Sequence, residues 1–361
     1  MHAFTAVLAV FTTISRLAEG RSSLHVHSAP TFVRPYVIEH YAPAQAVALG
    51  QQIYRFPVTG ASSGGAFSLI STSSPSSSEL GSIPHRHQTH HENFFCLKGR
   101  FQLWAEDEAR LLTVGDYGSI PRNTTHTYQI LDPDTEIVGV LAPGGFEDLP
   151  FFLADSNYTS STRTPYVPTT PSNSSSGSPP EAIITALRSL DVYAQLDYAP
   201  RTDLVNGSAP SGNGWHTTTD AVPTVNFTPY FVAKDYGEKY LNRENGYQIV
   251  QPFVTNVTGG GEFTQGSVTI SRQFNATPSA YALPGHTAFE VLEGALNVRM
   301  QMETVMLITG DVAFIPANTS FEYWSDVAFT KFMYVCQGVQ GLDQQLLVNA
   351  EAWGFSVFPT A

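Results

Sequence analysis

Pro84-His85-Arg86-His87-Gln88-Thr89-His90-His91-Glu92, followed by Gly99, is the stretch from which the rest of the chain can be read. On a strand, His85 and His87 stand two residues apart and share a face, so both imidazoles can reach one metal ion. Glu92 follows His87 at an odd spacing. A continuous strand would turn it to the opposite face, so convergence of the three requires a bend between them. The run Gly115-Asp116-Tyr117-Gly118-Ser119-Ile120-Pro121-Arg122-Asn123-Thr124-Thr125-His126 offers a fourth donor, because its Gly/Pro-punctuated turn returns an antiparallel strand carrying His126. Three neutral imidazoles and one carboxylate make a mixed N/O site for a divalent transition metal. If the bend falls later, His90 shares a face with Glu92 and competes as a ligand. Otherwise His90 and His91 form a polar edge.

Around this stretch the pattern is β. Tyr36 to Ile38, Gln52 to Phe56, Ala66 to Ile70, Asn93 to Leu97, Phe101 to Trp104, Thr127 to Leu131 and Glu136 to Leu141 are short apolar or alternating runs separated by turn residues. They predict an antiparallel sandwich or barrel. From Ser160 to Pro180 the composition shifts to Ser, Thr and Pro, which is linker chemistry. Ser178-Pro179-Pro180-Glu181 then reads as a capping box opening one helix, with Ile183, Ile184, Leu187 and Leu190 at helical spacing.

The second half repeats the first. Pro35-Tyr36-Val37-Ile38 returns as Pro229-Tyr230-Phe231-Val232, and Gly115-Asp116 with Ile120-Pro121-Arg122-Asn123-Thr124 returns as Gly310-Asp311 with Ile315-Pro316-Ala317-Asn318-Thr319. The matches keep nearly one offset over about 90 residues, which suits a duplicated domain rather than a solenoid. Carried across at that offset, His85, His87, Glu92 and His126 land on Ala280, Ala282, Thr287 and Phe321, none a strong ligand. The expected division is a signal peptide over 1–20, a metal-bearing domain over 21–146, a linker with a short helix over 147–225, and a ligand-free domain over 226–361.

Lys plus Arg number 18 against 31 Asp plus Glu, a formal charge of -13 in 361 residues. With no basic stripe to neutralise phosphates, nucleic acid and anionic membranes are excluded as partners. The apolar run Ala3 to Ile14, followed by Arg16, Ala18 and Gly20, suits a signal peptide and hence a secreted, extracellular protein; a buried N-terminal strand is the alternative. Glycosylation sequons at Asn123, Asn157, Asn173, Asn206, Asn226, Asn256, Asn275 and Asn318 agree with export. Cys96 and Cys336 are a single pair, so they read more readily as two buried thiols than as a disulfide framework. A homodimer is compatible with the sequence.

His85-x-His87-x4-Glu92-x6-Gly99 with Gly115-x5-Pro121-x-Asn123-x2-His126 resembles the two motifs of the cupin superfamily. Asn123 stands where that pattern usually has glycine. Longer stretches, among them Arg34-Pro35-Tyr36-Val37-Ile38, Phe101-Gln102-Leu103-Trp104-Ala105 and Pro143-Gly144-Gly145-Phe146-Glu147-Asp148-Leu149, are similar to the fungal quercetin 2,3-dioxygenases. The resemblance implies an all-β bicupin, two antiparallel jelly-roll barrels, with one Cu2+ on His85, His87, His126 and Glu92. It implies that flavonols such as quercetin are opened by dioxygen to a depside and carbon monoxide. Spacing alone also suits iron, manganese, nickel or cobalt, although affinity favours copper. Glu92 is the only acid in the constellation, so it is a candidate general base as well as a ligand; a purely structural carboxylate is the alternative. Phe94 and Tyr128 lie two residues beyond Glu92 and His126 and face the same interior, while Tyr54, Ile70, Ile137 and Phe146 are pocket candidates by strand position and resemblance. Ordinary barrel filling is the competing reading for each. Competing functions are an oxalate oxidase or decarboxylase using manganese and a non-catalytic storage or binding bicupin.

Overall fold

In the strand His91–Lys98, Phe94 and Cys96 enter one hydrophobic cluster while Phe95 enters another. A strand puts successive side chains on opposite faces, so this one is buried on both, which explains its nearly continuous apolar reading. The computed structural model describes residues 22–40, 42, 46–158, 181–210, 215–216, 221–273 and 277–360. The expected signal peptide, the whole Ser/Thr/Pro run over 160–180 and with it the Ser178 end of the expected capping box lie outside them.

Among the described residues, four sheets of nine, eight, five and four strands form two sandwiches. The eight- and five-stranded sheets enclose Phe94, Phe101, Leu103, Tyr128 and Ile137, and the nine- and four-stranded sheets enclose Phe289, Leu296, Phe321 and Phe332. The two large sheets then pack through their outer faces, where Phe95, Tyr117 and Val138 meet Phe253, Phe314 and Met333. Tyr117 stacks on Phe253 at 4.6 Å between ring centroids. This is the all-β, duplicated barrel architecture that the repeat predicts.

The first strand of each repeat, however, lies in the other repeat's sheet. Tyr36–Ile38 pairs antiparallel with Val312–Ile315, and Tyr230–Val232 pairs with Tyr117–Ile120. The repeated Gly-Asp turns hold these exchanged strands. Asp116 accepts from the backbone amides of Thr113 in its own turn (2.7 Å) and of Lys234 just beyond the incoming strand (2.7 Å). Asp311 does the same with Ile308 (3.0 Å) and His40 (2.9 Å). The preceding Gly115 and Gly310 sit at φ 96° and 84°, conformations that a side chain disfavours.

Two of the three helices among the described residues serve the first barrel. Asp148–Leu153 and Glu181–Ser189 lay Leu149 and Leu187 against Phe56, Ile70, Leu141 and Phe146 at its mouth. Among the described residues no helix is long and apolar enough to cross a membrane. Cys96 and Cys336 are both free and buried.

Candidate metal centre

The bend required between His87 and Glu92 is present. The strand His85–Arg86 ends before His87, and a new strand starts at His91, so Glu92 turns back toward the imidazoles. His126 opens the strand His126–Ile130 directly opposite His85. One donor atom from each of His85, His87, Glu92 and His126 lies within 4.8 Å of all the others. The rings are buried, at 7%, 2% and 1% exposure for His85, His87 and His126.

Each imidazole has its Nδ1 against a backbone carbonyl: His85 with Ile83 O (2.8 Å), His87 with Asp191 O (2.7 Å) and His126 with Thr124 O (3.1 Å). A neutral imidazole has one proton, and these contacts assign it to Nδ1, leaving the Nε2 lone pairs to face inward. Glu92 Oε2 lies 3.1 Å from His87 Nε2 and 2.9 Å from His126 Nε2. A carboxylate and three inward lone pairs are a set of acceptors without a donor, and a divalent cation completes such a set. Burial pushes the Glu92 carboxyl up, but a proton or cation shared with His126 and His87 outweighs burial and holds the group well below the usual range. Burial, followed by the neighbouring imidazoles, pushes His85 well below its usual value.

His90 and His91 do not join this cluster. His90 Nδ1 lies 2.8 Å from Asp191 Oδ2, and His91 Nε2 bonds Ser119 Oγ at 2.8 Å with its ring edge-on to Phe263. Among the described residues the only other potential ligand group is His87, His90 and Asp191, which shares His87.

Beside the cluster lies a cavity of about 260 Å³, with His85 and Glu92 in its wall. Tyr54, Ile70, Phe94, Tyr128, Ile137 and Phe146 all line it. Leu149, Leu153, Ile183 and Leu187 from the two mouth helices, together with Thr72 and Leu141, line it as well, beyond the pocket residues that strand position indicates. Only the helical spacing that includes Ile183 and Leu187 hinted at them. Among the described residues no Lys or Arg lines this cavity. Tyr128 donates to Gln52 Oε1 (2.6 Å), and its hydroxyl lies 3.0 Å from that of Tyr54. Burial raises both phenols, Tyr54 to about 12, so each keeps its proton.

The second barrel differs from the simple offset. Tyr281 pairs with Phe321 where His85 pairs with His126, and Leu283 O accepts from Asn318 N where His87 O accepts from Asn123 N. The residues in the ligand positions are therefore Tyr281, Leu283, Thr287 and Phe321, because the second bend is one residue shorter. Leu283 and Phe321 are buried in apolar core. Asn123 and Asn318 both sit in the left-handed region (φ 64° and 59°), which asparagine tolerates, so the absence of glycine there leaves the turn intact. Asn123, Asn157, Asn206, Asn226, Asn256 and Asn318 are exposed; Asn173 and Asn275 lie outside the described residues.

A cupin domain model matches residues 76–138, spanning all four clustered side chains. Over 346 residues the chain is 48% identical to the quercetin 2,3-dioxygenase of Aspergillus japonicus, covering 94% of this chain and 99% of that one. The chain belongs to the quercetin 2,3-dioxygenase family. A Bacillus subtilis quercetin 2,3-dioxygenase is 34% identical over 118 residues, covering 33% of this chain and 34% of that one. Among solved structures, salicylate 1,2-dioxygenase from Pseudoaminobacter salicylatoxidans superposes with TM-score 0.54 at 14% identity, covering 90% of this chain and 86% of that one. That similarity concerns the fold alone. As a member of the quercetin 2,3-dioxygenase family, the chain is a metal-binding dioxygenase.

Proposed function

We propose that the chain holds one copper ion on His85, His87, Glu92 and His126 and opens the central ring of flavonols such as quercetin with dioxygen. The observation that carries this reading is the four-donor cluster that puts His85 and Glu92 into the wall of an apolar, aromatic-walled cavity, in a chain nearly half identical to a quercetin 2,3-dioxygenase. A small dicarboxylate needs a cationic wall, whereas a planar polyphenol needs flat apolar ones, and the described lining is of the second kind. When bound, copper supplies the Lewis-acid and one-electron chemistry that a closed-shell phenol needs to react with triplet dioxygen. One dioxygen enters, the ring carbon bearing the 3-hydroxyl leaves as carbon monoxide, and the remainder is an ester of two phenolic acids.

The chain's own residues bind, orient and move the proton. Phe94, Ile137 and Phe146 sandwich the flavonol and exclude water from the reacting carbons. Glu92, the only carboxylate of the cluster and part of the cavity wall, accepts the proton of the 3-hydroxyl. Tyr54 and Tyr128 hold their protons and offer hydroxyl groups to a polar substituent on the substrate. The apolar run Ala3 to Ile14 and the exposed sequons support secretion by a signal peptide and glycan attachment at Asn123, Asn157, Asn206, Asn226, Asn256 or Asn318.

Glu92→Gln tests the assignment of the base. The amide keeps the size and one ligand oxygen but accepts a proton poorly, so the variant should retain copper and lose about 100-fold or more of its turnover. Full turnover in a copper-loaded Glu92→Gln protein would contradict it.

A further inference from the structure

The helix Glu181–Ser189 ends in a Schellman turn: Val192 N donates to Leu187 O (2.9 Å) and Asp191 N to Arg188 O (3.2 Å). The left-handed residue of that turn is Asp191, at φ 61°, where glycine is the usual occupant. A strained non-glycine residue that persists marks a position over-determined by its surroundings. Here the surroundings are the bend between His87 and Glu92. Asp191 Oδ1 accepts from Gln88 N (2.9 Å), and Oδ2 accepts from Thr89 N (2.9 Å), His90 N (3.0 Å) and the His90 ring (2.8 Å). Its backbone carbonyl meanwhile takes the Nδ1 proton of His87.

We propose that Asp191 is a positioning residue for the metal centre, clamping the bend that allows His87 and Glu92 to converge. Three consecutive amides held by one carboxylate fix the path of residues 88–90, and the carbonyl fixes the tautomer and tilt of His87. The same turn carries Leu187 and Val192 into the wall of the cavity, so one short segment builds both the substrate wall and the geometry of a ligand over 100 residues away in sequence. Four donors already occupy the Asp191 carboxylate, so its oxygens are committed to the bend.

The inference rests on the assignment of His85, His87, Glu92 and His126 as ligands. Asp191→Gly separates the clamp from the fold, because glycine suits the left-handed turn and keeps the carbonyl contact to His87 while removing the carboxylate. Full-length wild-type and variant proteins are titrated with Cu(II) against a competing chelator, and their copper spectra are recorded by electron paramagnetic resonance. The expected result is about a 10- to 100-fold loss of Cu(II) affinity in Asp191→Gly, a changed copper spectrum and an unchanged near-ultraviolet circular dichroism. Asp191→Asn keeps one acceptor oxygen and should lose affinity to a smaller extent; it decides the matter if the glycine variant does not fold. Wild-type affinity and spectrum in the folded variant would overturn the clamp. Wild-type protein that takes up no Cu(II) would instead overturn the ligand assignment beneath it.

Discussion

Gly81→Ala puts the packing of the cavity wall to a quantitative test. A Cβ added at Gly81 falls 2.2 Å from Tyr128 Cε2, 2.6 Å from Cδ2 and 2.7 Å from Cζ. Carbon atoms pack at about 3.5–4.0 Å, so the ring has to withdraw by roughly 1.3 Å or the strands have to part. Neither is free. Gly81 is held through its amide to Tyr128 O (2.7 Å) and through its carbonyl by Gln52 Nε2 (2.6 Å), while the Tyr128 hydroxyl is anchored on Gln52 Oε1. Overpacking of this kind costs about 1–3 kcal/mol, and a ring displaced into the cavity should also raise the KM for flavonol. The assay is a double-mutant cycle by calorimetric unfolding, with Gly81→Ala made in the wild type and in Tyr128→Ala. The alanine methyl should destabilise the wild type by that amount and cost almost nothing where the ring is gone. Equal costs in both backgrounds would refute the steric argument.

Glu290 is buried between the two barrels, with one carboxylate oxygen lacking a partner, and burial followed by the charges of Glu136 and Asp311 raises it well above its ordinary value of 4.5. A raised carboxyl stabilises the fold below its unfolded value and loses that contribution as pH climbs through its folded value. Glu290→Gln should therefore gain stability over wild type progressively as pH rises above the ordinary carboxyl value of 4.5; a difference independent of pH in thermal melts would refute this. Asp116 is fully buried and takes the amides of Thr113 and Lys234 besides contacts from Thr113 Oγ1 and the His216 ring, so Asp116→Ala strands the two amides at about 1–3 kcal/mol each and frees the other two groups. A calorimetric loss below about 1 kcal/mol would contradict its role in holding the exchanged strand.

Much of this centre was legible because its rules are local. Period-2 facing placed His85 beside His87 and carried Phe94 and Tyr128, two residues beyond Glu92 and His126, into the cavity wall. The odd spacing to Glu92 demanded a bend. What holds that bend was hidden, since Asp191 occupies a turn position that normally calls for glycine and acts on residues far upstream. The exchanged strands were equally hidden: three-residue runs such as Tyr36–Ile38 fit either sheet, and only the partner amides held by Asp116 and Asp311 reveal which. The constant offset misplaced two positions of the second barrel because the shorter bend moves the register from Ala280 and Ala282 to Tyr281 and Leu283.

The central claim is that the first barrel uses its metal to open flavonols. The most direct measurement is carbon monoxide released when copper-loaded protein of known metal content meets quercetin in air-saturated buffer. Carbon monoxide formed in step with flavonol loss, and abolished together with copper binding in His126→Ala, is the predicted result. Quercetin left intact by fully copper-loaded protein, or consumed without carbon monoxide, would contradict it.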